Sequence, residues 1–136
     1  MALTAAAAFT WFGMVLAVSF LEAPLKFRAP GVTVPIGLGI GRLVFRALEG
    51  VQAVLAVLVV VGLVVGEPGG TAVVATALAV GTLVVQVAAV RPVLSRRTAR
   101  VLAGEDPGRR SGAHLAYIGL EVVKVAALVV LGVAAS

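Results

Sequence analysis

The sequence predicts an all-α integral membrane protein, a bundle of four antiparallel helices with both termini outside and two basic loops inside. Three observations predict it. Hydrophobic residues make up 61% of the 136-residue chain and charged residues only 12%, roughly half the charged share of a soluble domain. The apolar residues gather into runs near the length that a helix needs to cross about 30 Å of hydrocarbon. All eleven Lys and Arg lie in or beside the first and third links between these runs, and none lies in the second link or near either end.

Composition also excludes functions. With no cysteine in the chain, disulfides, thiolate catalysis and thiol metal sites are ruled out. A pI near 11.2 would point to nucleic acid in a soluble protein. Here no basic patch carries stacking aromatics, and the basic residues stand where they set membrane orientation. The expected partners are the lipid bilayer, further copies of the chain in a homo-oligomer, and a small ion or solute. No nucleic acid, cofactor or metal is expected.

Helix one is predicted over 4–22. Its run 5–21 has no charge and ends at Glu22, Pro24, Lys26 and Arg28. No Lys or Arg precedes it, as a signal peptide would need, so it reads as a retained span. The loop 23–41 comes next. Its second part is apolar but interrupted by Pro30, Gly31, Pro35, Gly37, Gly39 and Gly41, which suits an interfacial or shallow re-entrant loop. Helix two is predicted over 42–65. The uncharged run 51–65 would cover only about 22 Å, so the span must also take in Glu49 and Arg46. The Gly66-Glu67-Pro68-Gly69-Gly70 turn reverses the chain. Helix three, 71–91, is clean except for Gln86 and halts at Arg91-Pro92.

In the loop 92–111, Leu94, Val101 and Leu102 fall opposite Arg96, Arg97 and Arg100 on a helical projection, as in a short basic helix lying on headgroups. Asp106-Pro107-Gly108 then makes a turn. Helix four is predicted over 112–135. The run after Lys124 covers only about 16 Å, so Lys124 and Glu121 must lie within the bilayer too. The one-sided placement of Lys and Arg puts the loops around Lys26 and Arg97 in the cytoplasm and both termini outward, in a bacterial cytoplasmic membrane.

The polar residues of the helices share one end. Helix one leaves at Glu22, helix two begins with Arg42, Arg46, Glu49 and Gln52, helix three exits through Gln86 and Arg91, and helix four begins with His114, Tyr117, Glu121 and Lys124. At 100° per residue the last four fall within about 80° of one another, and the four of helix two within about 120°. Trp11, Met14, Val18 and Glu22 share a face of helix one. A charge facing lipid near mid-bilayer costs about 2.5–3.5 kcal/mol, so these stripes point inward. Two readings stay open. In one, Arg46 pairs with Glu49 or Glu121, Lys124 pairs with a carboxylate, and the groups only hold helices together. In the other they line a polar cavity open to the cytoplasm.

Other patterns carry less. Gly37-Leu38-Gly39-Ile40-Gly41 lacks the second half of a nucleotide loop and a preceding strand, and reads as close packing or flexibility. His114, the only histidine, would need borrowed ligands to hold a metal or haem. Ser111 reads as a helix cap rather than a nucleophile beside His114. Trp11 and Phe12 read as anchors at the outer interface. Thr71, Ala75 and Ala79, with Ala77 and Gly81, give helix three small-residue faces suited to tight packing or an oligomer contact.

The segments Thr10-Trp11-Phe12-Gly13, Ala23-Pro24-Leu25-Lys26-Phe27-Arg28 and Gly41-Arg42-Leu43-Val44-Phe45, with His114 and Tyr117 late in the chain, resemble the transmembrane protein 205-like family. The resemblance rests on short motifs spread over most of the chain. It implies a small four-helix membrane protein of unestablished biochemical role and carries over no catalytic residues. The Glu121-x-x-Lys124 pair and the Ala23–Pro30 segment depart from that pattern, as in a separate bacterial branch.

Three function classes are open. A transporter or channel would use Glu49, Glu121 and Lys124 as waypoints and would need an oligomer, since four helices make a thin wall. A membrane-embedded binding protein or enzyme would use them to hold a lipid headgroup or quinone. A structural accessory subunit would use them as links alone. Transport is favoured because the charges reach mid-bilayer.

Overall fold

The computed structural model describes residues 2–104 and 112–136. The turn expected at Asp106-Pro107-Gly108 and the Ser111 cap lie outside the described residues. Four helices carry the fold: α1 (Ala2–Arg28), α2 (Val34–Val65), α3 (Gly70–Leu102) and α4 (Gly112–Ala135). All four are long and apolar enough to cross a membrane. α4 lies against α1 and α3, α1 against α2, and α2 closes on α3.

Two predicted boundaries are corrected, both where the sequence shows proline. The first concerns the loop predicted over 23–41, which is not a loop throughout: α1 runs on past 22 to Arg28. Ala29 turns extended at ψ 138° just ahead of Pro30, as a residue before proline must. Gly31 takes φ +82°, a left-handed conformation open to glycine. Thr33 then caps α2, its side chain accepting from the Ile36 N–H, and Pro35 sits in the first turn, where its missing N–H costs nothing. α2 therefore begins eight residues before 42, at Val34. Its glycines serve packing: a Cβ on Gly37 would strike the Phe27 ring, and one on Gly41 would fall 2.7 Å from Lys26 Nζ.

The second correction concerns Pro92. α3 does not stop there to begin a separate surface helix. It winds wide over Gln86–Val90 and continues as Arg91–Leu102. α1 does the same, widening over Leu16–Glu22 before Pro24. Proline removes one backbone donor and its ring crowds the carbonyl four residues back. A π-type turn just before it re-spaces the ladder so that the helix survives. α3 ends at Ala103 and Gly104, whose φ of +101° closes the helix with the Gly104 N–H on the Val101 carbonyl.

Packing follows the small and apolar faces. Ala7, Ala8, Trp11 and Val15 are the buried stripe of α1, and Leu55, Ala56 and Val59 that of α2. α3 lies against α4, and its buried face carries Ala72, Ala75, Thr76 and Ala79, small residues that let two backbones approach. Thr76 and Thr82 donate their hydroxyls back to the Ala72 and Ala79 carbonyls, so neither is left unpaired. Of the small residues expected to face outward or inward on helix three, Ala75 and Ala79 are buried, while Thr71, Ala77 and Gly81 are exposed. The outer surface is apolar: Leu43 is 70% exposed, Val64 79% and Val65 82%. Such a surface belongs in lipid rather than water.

Candidate functional site

Every helix contributes a buried polar side chain to one network. Lys124 Nζ donates to Glu121 Oε1, one turn earlier on α4, at 2.6 Å and to Gln52 Oε1 on α2 at 2.7 Å. The same Gln52 oxygen accepts from Trp11 Nε1 on α1 at 2.8 Å. Gln86 on α3 donates through Nε2 to Glu121 Oε1 at 2.8 Å and to the Tyr117 carbonyl at 3.3 Å. Ser19 on α1 donates to Glu121 Oε2 at 2.5 Å. Trp11, Gln52, Gln86 and Lys124 have no exposed surface, and Glu121 has 1%.

The wide turns aim two of these groups. Ser19 lies within Leu16–Glu22 and Gln86 opens Gln86–Val90. Each π-type turn holds more residues than an α turn, so the helix beyond it is rotated relative to the helix before it. Both side chains end on the Glu121 carboxylate.

A second tier lies toward the basic end. Arg91 Nε and Glu49 Oε1 pair at 2.9 Å, both largely buried. Phe45 sits between α1, α3 and α4: Lys26 Nζ and the Arg91 guanidinium each lie 5.7 Å from its ring centre. Tyr117 meets the ring edge-on at 5.7 Å and 87°. Cations over an aromatic face gain from its quadrupole, more so out of water. Lys26 also stands 3.8 Å from Glu22 one turn back. Charge is balanced within the tiers, Lys124 by Glu121, Arg91 by Glu49 and Lys26 by Glu22.

The sequence-derived set is thus divided. Gln52, Gln86, Tyr117, Glu121 and Lys124 come together in the interior, and Glu22 and Glu49 in the outer tier. His114 and Arg42 are half-buried nearer the basic end, and Arg46 is exposed. Arg46 does not pair with Glu49; Arg91 does, because it follows the wide turn of α3 and faces α2. Trp11 is no interface anchor, being fully buried with its N–H on Gln52. Nor is the interior open to solvent, since its innermost members are sealed by the four helices. Ser19 is not among the expected inward residues, and Trp11, on the inward stripe of helix one, is not among the expected site residues. Helical phase from Glu22 carried a hint of Trp11, but nothing in α-helical spacing points Ser19 inward, because the winding itself changes there.

Hydrogen bonding in the network is incomplete. Gln52 Nε2, Gln86 Oε1 and the Tyr117 hydroxyl are buried without a partner among the described residues. Rotating either amide would not repair this. Gln52 presents its oxygen to two donors and Gln86 its nitrogen to two acceptors, so both orientations are fixed. No group of three or more His, Asp or Glu able to hold a metal ion occurs among the described residues.

Comparison with protein-family models, with curated proteins and with solved structures gives no match. The class rests on fold and site: a helical-bundle membrane protein, with four helices able to span and an occluded polar cluster in its interior.

Proposed function

We propose that the chain is a transport-class membrane protein that holds a small ion or polar solute in an occluded site around Glu121 and Lys124, reached from the basic end. The observation that carries this reading is the incomplete hydrogen bonding of Gln52, Gln86 and Tyr117 around a buried ion pair. A network serving only to join helices gains by satisfying each member, and an orphaned polar atom in a membrane interior costs free energy. Orphans whose orientation is fixed are what a site for a polar guest requires. On this reading the helices cross a bacterial cytoplasmic membrane antiparallel, with both termini outward. Reporter fusions at the C-terminus test that topology; cytoplasmic fluorescence without phosphatase activity sinks it. The chain works as a homo-oligomer and stands near the transmembrane protein 205-like family.

A second reading has its own support. The ion pair is neutral, dry and tied to all four helices, as in a structural subunit locked by polar links. Proteoliposomes holding a pH-sensitive dye, challenged in turn with gradients of protons, monovalent cations and small carboxylates, separate the two. Transport predicts a response that the double variant Glu121→Gln/Lys124→Met loses while remaining folded. Wild-type protein behaving as empty liposomes across the panel favours the structural reading.

A further inference from the structure

α2 is longer than the bilayer it crosses, and its exposed face is apolar to both ends. Its 32 residues make about 48 Å of helix at 1.5 Å per residue, against roughly 30 Å of hydrocarbon. Tilt alone cannot absorb the difference. It would demand roughly 50°, beyond the range of up to about 40° that spanning helices adopt. If the Val65 end lies at one edge of the hydrocarbon, the opposite edge falls near Arg46, and the first third of α2 stands among headgroups.

That third is not built for water. Ile36, Ile40 and Leu43 are 50%, 38% and 70% exposed. They succeed one another at helical spacing, on the side away from buried Gly37, Gly41 and Leu48. Arg46, exposed, and Arg42, half-buried, flank the stripe. The neighbouring helix ends add exposed Arg28 and Arg96, while Glu22 and Glu49, at the same end, are engaged with Lys26 and Arg91. An apolar strip bordered by positive charge that no carboxylate balances among the described residues, at headgroup depth, has one fitting occupant. The strip enters the acyl boundary and the guanidiniums meet phosphate.

We propose that the basic end of the bundle is a binding surface for anionic phospholipids of the surrounding leaflet, formed by Ile36, Ile40 and Leu43 with Arg42 and Arg46. The surface is separate from the Glu121–Lys124 site and does not depend on what that site holds. Each basic side chain near an anionic surface favours it appreciably, so two arginines set a preference of about an order of magnitude.

Native mass spectrometry of the full chain, in mild detergent with equal amounts of phosphatidylglycerol and phosphatidylcholine of matched acyl chains, tests this. The wild type retains phosphatidylglycerol at least about tenfold over phosphatidylcholine. Arg42→Gln/Arg46→Gln lowers that preference by about tenfold, and Ile40→Asn/Leu43→Asn lowers retention of both lipids. Circular dichroism checks that the variants keep their helix content. Should the arginine pair fail to fold, Arg28→Gln/Arg96→Gln at exposed positions carries the same expectation of reduced preference. Equal retention of the two lipids by the wild type overturns the proposal. So does a lipid-independent dimer lost in Ile40→Asn/Leu43→Asn, which would give the strip to a second copy.

Discussion

The two halves of the bundle are held by different forces. Toward the 66–70 turn the interior is Ala8, Val59, Ala79, Leu128 and Leu131, with Thr4 and Thr76 as polar members. Toward the basic end it is Gln52, Gln86, Glu121 and Lys124, then Glu49 with Arg91. In lipid, an apolar side chain gains little by leaving tails for protein, so the first half depends on close fit between backbones. In the second half the alternative to a partner is a charge or amide in hydrocarbon, so each polar link holds its helix strongly. One half can change shape only by losing contacts, the other only by breaking pairs.

The comparison can be broken most forcefully at the ion pair. Lys124→Met and Glu121→Gln should each lower unfolding free energy in detergent by about 3–5 kcal/mol, because each leaves a buried charge without its counterpart. The double variant should recover most of that loss, since it removes both charges. Equal tolerance of the single changes would mean that water reaches the pair.

Gln52→Leu comes next. It strips an acceptor from Trp11 and from Lys124 at once, and should cost about 3 kcal/mol for the two donors left behind. Trp11 is the single tryptophan, so its fluorescence reads the site directly. Loss of the hydrogen bond should move its emission to shorter wavelength, and an unmoved spectrum would deny the contact.

In the apolar half, Ala79→Leu should cost about 1–3 kcal/mol, by forcing α3 from α4 where the backbones approach. The smallest effect belongs to the lipid face. Val64→Ala, at a side chain 79% exposed, should stay within about 0.5 kcal/mol. If Val64→Ala matched Ala79→Leu in thermal unfolding, the α2 outer face would have to be covered by another chain.

Much of this was present in the order of residues. Hydropathy and run length determine four helices long and apolar enough to span a membrane, because a backbone in hydrocarbon has few ways to satisfy its own polar groups. Helical phase determines that Glu121, Lys124, Tyr117 and Gln52 turn to a common interior, because a uniform 100° step fixes which side chains share a face. The cost of charge in lipid then sends that face inward.

The tertiary structure decided what a uniform step cannot. Winding changes over Leu16–Glu22 and Gln86–Val90 carry α1 and α3 through to Pro24 and Pro92, aim Ser19 and Gln86 at Glu121, and send Arg91 instead of Arg46 to Glu49. It also made a helix of the Pro- and Gly-rich stretch after Thr33, since Gly37 and Gly41 gain close contact with Phe27 and Lys26 that offsets their poor propensity. Phase along a sequence is local, whereas a wide turn and a glycine contact are settled by the helix across the way.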